Sequence, residues 1–237
     1  MKALILAAGL GERMRPLTNT TPKPLLHVGG KPLIAWHLEK LAAMGVREVV
    51  VNTSWLADRF PQVLGDGARW GLRLRWSHDG PVPLETGGGI WHAREWLAEG
   101  GDADAAFLVV NGDIWTDHDF ARLPRDFAGD AHLVLVDNPP HNPAGDFALA
   151  ADGRVASRGK DCLTFAGIGL YRLRLFDDWR GIVGAAPGAE AEPPRFKLAP
   201  LLRAAMARGR VTGERHDGRW TDVGTPQRLA ELDASLR

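Results

Sequence analysis

Residues 3–16 read ALILAAGLGERMRP and determine the fold that the sequence predicts. Residues 3–7 form a continuous apolar run, which is typical of a strand buried on both faces of a parallel sheet. The residues after it contain two glycines and two arginines. Glycine lets backbone amides approach an anion closely, and arginine contacts phosphate oxygens through several N–H groups. The stretch therefore predicts a buried strand that ends in an anion-binding loop.

Two well-known phosphate-binding motifs do not fit this loop. A dinucleotide fingerprint needs a third glycine at position 14, where the chain has Met14. A P-loop needs Gly-Lys followed by Ser or Thr, and neither Gly-Lys pair of the chain meets that condition. The chain instead supplies Arg13 within the loop and Lys23 between two prolines. We therefore expect a different kind of anion site, with these two side chains as its cations.

Strand and helix patterns alternate outward from this loop. Apolar runs predict strands at 48–51, 72–76, 106–110, 132–136, 146–149, 154–156 and 163–170. Periodic apolar residues predict helices at 32–44, 55–64, 89–98, 197–207 and 226–236, and an irregular loop is expected at 177–194. The pattern predicts one α/β domain over residues 1–237, with a three-layer Rossmann-like fold around a mostly parallel mixed central sheet.

The composition and charge of the chain exclude several classes of protein. The 237 residues carry 29 Lys and Arg against 29 Asp and Glu, so the formal net charge is zero. Nucleic-acid-binding proteins are usually more basic, and we expect no nucleic-acid partner. The single cysteine, Cys162, excludes an intrachain disulfide and fits a reducing compartment. No apolar run approaches the roughly 20 residues of a membrane helix, and the first run is too short for a signal peptide. We expect a cytoplasmic protein with no membrane contact.

Several motifs resemble those of the sugar-1-phosphate nucleotidylyltransferases. These motifs are LAAGxGxRxxPxT at 6–18, PKP at 22–24, GGKPLI at 29–34, GD at 112–113 and WxDxGTP at 220–226. Longer segments are similar to the N-acetylmuramate 1-phosphate uridylyltransferase branch of that family, namely LETGGGI at 84–90, VNGDIWTD at 110–117, LVLVDNP at 133–139 and FKLAPLL at 196–202. The resemblance spans nearly the whole chain. It implies the nucleotidyltransferase (GT-A-like) form of the fold, with a nucleotide-binding half at about 1–115 and a sugar-phosphate-binding half at about 116–237.

The resemblance also implies a reaction. An oxygen of a sugar 1-phosphate attacks the α-phosphorus of a nucleoside triphosphate, and pyrophosphate leaves. The branch uses UTP and N-acetylmuramic acid α-1-phosphate and serves peptidoglycan sugar recycling in bacteria. The nucleophile is already an anion at neutral pH, so catalysis should consist of positioning and charge stabilisation. We expect these two substrates to be the partners of the chain. We also expect the chain to be a monomer or a weak homodimer.

A magnesium site is expected at two acidic residues. Asp113 follows the predicted strand at 106–110, and ligands of open parallel sheets bind beyond the carboxyl ends of strands. Mg²⁺ typically takes one or two carboxylates together with substrate phosphates. The resemblance assigns Mg²⁺ to Asp113 and Asp222. It makes Arg13, Lys23 and Asp113 the catalytic residues, with Arg13 at the departing pyrophosphate and Lys23 at the α-phosphate or the sugar phosphate.

The remaining site residues follow from the same resemblance. Nucleotide binding is expected at Leu6, Ala7, Ala8, Gly9, Gly11, Arg13, Lys23, Glu85, Gly88 and Asn111. Glu85 would accept a base N–H, and the amides of the three glycines at 87–89 would serve base carbonyls. Sugar-phosphate binding is expected at Asn111, Lys160 and Gly167. The chain departs from many relatives before Lys160, where Gly159 replaces a glutamate.

Three alternatives remain open. A mannose- or heptose-1-phosphate guanylyltransferase would keep the same metal site, and Glu85 would also suit the N–H groups of guanine. A metal-dependent glycosyltransferase would share the sheet, although a loop with Arg13 and Lys23 favours a triphosphate. A non-catalytic nucleotide sensor is disfavoured because Asp113 and Asp222 are intact.

Overall fold

The computed structural model describes residues 1–99 and 104–237. The strands are β1 (Ala3–Leu6), β2 (His27–Val28), β3 (Lys31–Pro32), β4 (Glu48–Thr53), β5 (Arg73–His78), β6 (Phe107–Asn111), β7 (Ile114–Thr116), β8 (Ala131–Val136), β9 (Phe147–Leu149), β10 (Val155–Ala156), β11 (Cys162–Tyr171), β12 (Val211–Arg215) and β13 (Trp220–Asp222). The α-helices are α1 (Leu33–Ala43), α2 (Arg59–Leu64), α3 (Glu85–His92), α4 (Arg94–Ala98), α5 (Trp179–Val183), α6 (Ala199–Ala207) and α7 (Pro226–Ser235).

Four parallel strands form one side of the sheet, in the order β6-β1-β4-β5. The other side is mixed, because β11 runs antiparallel to both β6 and β8, and β12 runs parallel to β8. The hairpin of β9 and β10 pairs with the first residues of β11. Two small antiparallel pairs, β2 with β3 and β7 with β13, lie outside this sheet. The predicted mostly parallel, mixed central sheet is confirmed.

Apolar side chains of the sheet point alternately into two cores. In β1, Ala3 and Ile5 belong to a core that includes Leu38 of α1, whereas Leu4 belongs to a core that includes Ile90 of α3 and Leu201 of α6. Leu4 and Ile5 are both fully buried. Burying an aliphatic side chain of this size stabilises the fold by roughly 1.5–3 kcal/mol. The two cores make the three layers of helix, sheet and helix, as the continuous apolar run predicts.

The three successive glycines lie inside a helix, whereas the sequence predicts that the helix begins at 89. Helix α3 begins at Glu85. A Cβ at Gly87 would lie 2.6 Å from Phe196 Cδ2, and a Cβ at Gly88 would lie 2.5 Å from the Pro194 carbonyl oxygen. The low helix propensity of glycine is therefore outweighed by the close packing of residues 194–197 against α3.

Other predicted bounds also shift. Helix α2 begins at Arg59 rather than at 55, so its proline lies in the first turn, where proline is tolerated. The short helix α5 lies within the predicted irregular loop at 177–194. Strands β7, β12 and β13 are not predicted from the sequence. Over the described ranges, no helix has both the length and the apolar character needed to cross a membrane.

Candidate active site

A cavity of about 420 Å³ opens at the carboxyl ends of β1, β4 and β6. We call it the strand-end cavity. Of the residues predicted to bind nucleotide or to catalyse, it is lined by Leu6, Ala7, Ala8, Gly9, Gly11, Lys23, Glu85, Asn111 and Asp113. It is also lined by Leu10, Pro24, Asn52, Asp79, Val82, Pro83, Thr86 and Arg195. The structure thus brings together residues that are up to 189 positions apart in the chain, from Leu6 to Arg195.

An ion pair between a buried lysine and a more exposed aspartate lies on the wall of this cavity. Lys23 Nζ donates a hydrogen bond to Asp113 Oδ2 at 2.7 Å, and Lys23 is only 9% exposed. Asp113 follows β6 after Gly112, whose amide donates to the Leu6 carbonyl at 2.8 Å. A Cβ at position 112 would lie 2.9 Å from that same oxygen. The glycine therefore permits the close approach that places Asp113 beside the end of β1.

The second predicted metal ligand lies on a neighbouring strand. Strands β7 and β13 pair antiparallel, and the Val223 amide donates to the Asp113 carbonyl at 2.8 Å. The carboxylate of Asp222, the residue before Val223, contacts the Arg228 guanidinium and lies 2.9 Å from His141 Nε2. The backbone thus holds the two acidic residues at adjacent positions, and each carboxylate has a basic partner.

The chemistry of these two carboxylates suits a divalent cation whose other ligands come from substrate phosphates and water. No group of three or more His, Cys, Asp or Glu side chains that could hold a metal occurs among residues 1–99 and 104–237. Two carboxylates at adjacent positions are the donor set that Mg²⁺ uses when phosphates and water supply the other oxygens. Basic partners on Asp113 and Asp222 balance the carboxylate charge in the protein without metal.

Arg13 lies beside the strand-end cavity. It is an exposed residue of the 3₁₀ turn Glu12–Met14. It lines a separate cavity of about 340 Å³, together with Gly11, Lys23 and Gly224. Because Gly11 and Lys23 line both cavities, Arg13 is available to an anion that extends past Lys23.

An adjoining cavity of about 210 Å³ shares Leu6, Thr86 and Asn111 with the strand-end cavity. Its other lining residues are Val109, Asp146, Phe147, Phe165, Gly167, Tyr171, Leu198, Ala199, Leu202 and Arg203. Gly167 has a φ of +72°, and a Cβ there would lie 2.6 Å from Asn111 Nδ2. The glycine thus makes room for the Asn111 side chain, which lies on the boundary between the two cavities.

Arg13 and Asp222 do not line the strand-end cavity, and two further predicted site residues, Lys160 and Gly88, also lie outside its lining. Lys160 is exposed in the segment between β10 and β11 and lines neither the strand-end cavity nor the adjoining cavity. The Gly88 amide donates to the Phe196 carbonyl at 2.9 Å, so it is already engaged and does not face the strand-end cavity. This geometry does not support the expected contact between Gly88 and a base carbonyl. We attribute Gly88 to helix packing.

Glu85 lines the cavity but has a partner of its own. Its Oε1 accepts from Arg195 Nη2 at 3.2 Å, and its side chain is 35% exposed. Glu85 also has a φ of +64°, which a non-glycine residue adopts at some cost. The turn that begins α3 therefore presents a carboxylate at the cavity rim that is both solvated and ion-paired.

Asn52 and Asp79 are site residues that sequence reasoning missed. Asn52 Oδ1 accepts from the Ala7 amide at 2.7 Å, and its Nδ2 donates to Asp79 Oδ2 at 3.1 Å. Burial raises the pKa of Asp79 to about 6. The available signal was Asn52 itself, a polar residue within the apolar run of β4. A polar side chain at the carboxyl end of a buried parallel strand is a site candidate.

Comparisons with known proteins identify the family of the chain. The chain belongs to the nucleotidyl transferase family, whose sequence pattern matches residues 2–158. It is 49% identical to N-acetylmuramate alpha-1-phosphate uridylyltransferase of Neisseria meningitidis serogroup B, over 99% of this chain and 97% of that protein. It is 36% identical to the enzyme of the same name from Caulobacter vibrioides, over 99% of this chain and 96% of that one.

A solved structure shares the fold. The crystal structure of a putative glucose-1-phosphate thymidylyltransferase from Bacillus anthracis matches with a TM-score of 0.81 at 22% identity, covering 100% of this chain and 95% of that one. The Rossmann-like nucleotidyltransferase fold and the family predicted from the motifs are confirmed, and the chain is a nucleotidyltransferase.

Proposed function

We propose that the chain transfers a uridylyl group from UTP to N-acetylmuramate α-1-phosphate, giving UDP-N-acetylmuramic acid and pyrophosphate. The observation that carries this proposal is the pair of cavities that meet at Asn111, with the Lys23–Asp113 pair on the wall of the larger one. One cavity has room for a nucleotide and the other for a sugar. The full-length similarity to uridylyltransferases of this name supports the choice of substrates, and with it a place in peptidoglycan sugar recycling.

The reaction needs charge stabilisation more than proton transfer. An anionic oxygen of the sugar phosphate forms a bond to the α-phosphorus, and the bond to the β-phosphate oxygen breaks. Lys23 would offset the negative charge that gathers at the α-phosphate, and Arg13 would bind the departing pyrophosphate. A contact of this kind typically contributes about 10²–10³ in rate. Asp113 and Asp222 would hold Mg²⁺, which supplies charge neutralisation between the two phosphates when bound.

The adjoining cavity supports an acidic sugar. Arg203 of α6 is the one cationic side chain among the described residues that line it. N-acetylmuramate differs from N-acetylglucosamine by a lactyl ether that carries a carboxylate. Arginine binds carboxylates in a planar, multi-donor geometry. We infer that Arg203 favours the muramate substrate over its neutral counterpart.

The cellular setting and organisation are part of the same proposal. We propose one domain over residues 1–237, in which residues 1–115 bind mainly the nucleotide and residues 116–237 mainly the sugar phosphate. The enzyme acts in the cytoplasm, where nucleoside triphosphates are available. It functions as a monomer or weak homodimer, without nucleic acid or membrane.

Pyrophosphate release tests the proposal. The purified chain with Mg²⁺ is assayed with UTP, dTTP, CTP and GTP, each against the 1-phosphates of N-acetylmuramic acid, N-acetylglucosamine, mannose and glucose. We expect UTP with N-acetylmuramate 1-phosphate to give the highest kcat/KM. A dominant rate with GTP and mannose 1-phosphate would instead identify a guanylyltransferase that uses the same metal site.

A further inference from the structure

Trp55 lies in an unusual place for a tryptophan, a residue type that is mostly well buried. It follows β4 and is 39% exposed. Among the described residues, it is a member of none of the three hydrophobic cores. Its Nε1 donates a hydrogen bond to the Thr18 carbonyl at 2.9 Å, 37 positions earlier in the chain. The indole therefore connects the segment after β4 to the loop after β1.

Thr18 continues this connection to the turn that carries Arg13. It is 1% exposed, and its Oγ1 donates to the Gly11 carbonyl at 2.7 Å. The same carbonyl accepts from the Met14 amide at 2.9 Å, which closes the turn. A Cβ at Gly11 would lie 2.7 Å from Thr18 Cγ2, so the two residues are also in close contact. Two successive hydrogen bonds thus link Trp55 to the backbone of the Arg13 turn.

Arg13 depends on this turn for its direction. Its side chain is exposed and has no hydrogen bond or ion pair with another described residue. It lines the cavity of about 340 Å³ that Gly11 and Lys23 also line. A side chain without a partner is directed by its backbone alone. A fixed turn therefore lowers the entropic cost of placing the guanidinium on an anion.

The segment that carries Trp55 is itself firmly held. Ser54 Oγ donates to the Gly80 carbonyl at 2.7 Å, and the Asp79 amide donates to the Thr53 carbonyl at 2.8 Å. Thr53 and Ser54 are both buried. The anchor of the Arg13 turn is therefore the rigid carboxyl end of β4.

We propose that Trp55 is a positioning residue for the leaving pyrophosphate, because its hydrogen bond to Thr18 holds the turn that presents Arg13 to the β- and γ-phosphates. This inference rests on the proposed function, in which Arg13 binds those phosphates. Trp55 lines neither the strand-end cavity nor the cavity of Arg13. It acts through Arg13, so UTP should depend on it and UMP, which lacks both phosphates, should not.

Trp55→Phe tests the proposal because it keeps an aromatic ring and removes the hydrogen-bond donor. We expect the affinity for UTP to fall by about 3- to 10-fold, the typical effect of one neutral hydrogen bond. The affinity for UMP should keep its wild-type value. Calorimetry with Mg²⁺ and without a sugar phosphate measures both affinities. A residue that only stabilised the fold would not change the ratio of UTP to UMP affinity.

Two further variants test the path from Trp55 to Arg13. In an Arg13→Gln background, Trp55→Phe should cause no further change in the ratio of UTP to UMP affinity, because the residue through which it acts is gone. Thr18→Val removes the second hydrogen bond at nearly constant volume. It should lower the ratio by about 3- to 10-fold in the wild-type background.

The matched control is Trp36→Phe. It removes an indole hydrogen bond to the Val28 carbonyl at 3.1 Å, and Trp36 lines neither cavity. It should leave the ratio of UTP to UMP affinity at the wild-type value.

Three results would overturn the proposal. They are a wild-type ratio in Trp55→Phe, an equal loss of affinity for UMP and UTP in that variant, and a further fall of the ratio in the Arg13→Gln background. Should Trp55→Phe fail to fold, Thr18→Val decides, and a wild-type ratio there would overturn the proposal.

These measurements are separate from the test of the proposed function. Absence of UTP turnover with every sugar 1-phosphate would refute the uridylyl transfer, while the affinity ratio would still decide the role of Trp55. Tighter binding of GTP than of UTP by the wild type would also count against the uridylyl transfer. The ratio of GTP to GMP affinity in the same variants would then decide the role of Trp55.

Discussion

Lys23 Nζ lies 2.7 Å from Asp113 Oδ2, so the predicted catalytic lysine and the predicted metal ligand form an ion pair with each other. The lysine side chain is largely buried, whereas the Asp113 side chain is 38% exposed. The carboxylate is therefore accessible from the cavity but already has a cation. A metal ion held by Asp113 would compete with Lys23 for the carboxylate, and the lysine ammonium would then be available to a phosphate.

Lys23→Met should lower kcat but strengthen the binding of Mg²⁺. We expect kcat to fall by about 10²–10³, because one charge-assisted contact to the reacting phosphates is lost. Mg²⁺ should bind the nucleotide-free protein more tightly, because Asp113 no longer has a competing cation. Steady-state kinetics and Mg²⁺ titration calorimetry measure the two quantities. The control, Lys31→Met, removes a lysine paired with Glu39 outside the site and should alter neither quantity. Weaker Mg²⁺ binding by Lys23→Met would contradict the competition.

Gly88→Ala should lower the stability of the protein, whereas Gly9→Ala should weaken nucleotide binding. A Cβ at Gly88 would overlap the Pro194 carbonyl, so we expect the free energy of unfolding to fall by about 1–3 kcal/mol. A Cβ at Gly9 meets no protein atom within 4 Å, and Gly9 lines the strand-end cavity. Gly9→Ala should therefore keep its stability and raise the KM for UTP. Urea unfolding and initial rates distinguish the two. A stable Gly88→Ala with impaired nucleotide binding would show that Gly88 serves the nucleotide after all.

Arg203→Gln should affect one sugar and spare another. A hydrogen bond to a charged group contributes about 1.5–3 kcal/mol, which corresponds to roughly a 10- to 100-fold loss of kcat/KM for N-acetylmuramate 1-phosphate. The activity with N-acetylglucosamine 1-phosphate, which we expect to be lower in the wild type, should be nearly unchanged because that sugar has no carboxylate. The same substitution at Arg208, an exposed residue that follows α6, is the control. Equal losses for both sugars would remove Arg203 from sugar selection.

The pH dependence of stability should report Asp79. Burial raises its pKa to about 6, so the folded protein binds this proton more tightly than the unfolded chain does. The stability that this group contributes is therefore present below about pH 4 and is lost as the pH rises through about 6. The same cavity is also lined by the charged side chains of Lys23, Glu85, Asp113 and Arg195. Their own contributions to stability are the same in the wild type and in a variant that lacks the Asp79 carboxyl.

Comparison of the wild type with Asp79→Asn isolates the contribution of Asp79 to the free energy of unfolding. Relative to the wild type, the variant should gain about 1–3 kcal/mol in free energy of unfolding between pH 4 and pH 8, since it cannot ionise. Urea unfolding of both proteins without nucleotide, at several pH values, measures this difference. Parallel stability profiles would mean that the Asp79 carboxyl ionises in the folded state as readily as in the unfolded chain.

The parallel half of the fold is predictable because its strands are buried on both faces. Residues 3–7 and 106–110 are apolar without interruption, and the strands they predict pair with each other through β1 and β6. Asp113 is predictable because it lies in a short motif directly after such a strand, whereas Lys23 is predictable because it lies between two prolines in a motif that resembles the family's. The small strands β7 and β13 lack that signal. Their pairing depends on a contact between segments about a hundred residues apart, which no local pattern contains.

The prediction for the lining of the strand-end cavity was incomplete for a similar reason. Glu85 stands in a conspicuous glycine-rich segment, whereas Asp79 directly follows β5 without such a motif, and both line the cavity. Asp79 is recognised only by its burial and by the hydrogen bonds that its Oδ2 accepts, which are properties of tertiary structure. Gly88 shows the opposite case, because a run of glycines that suggested ligand contact instead allows residues 194–197 to pack against α3.

The most direct test of uridylyl transfer follows the α-phosphorus itself. The chain is incubated with Mg²⁺, N-acetylmuramate 1-phosphate and UTP that carries a label on the α-phosphate, and the products are separated. We predict that the label appears in UDP-N-acetylmuramic acid, that the pyrophosphate is unlabelled, and that Asp113→Asn and Asp222→Asn lose the transfer while remaining folded. Label that stays in UTP, or transfer that persists in Asp113→Asn at the wild-type rate, would contradict the account.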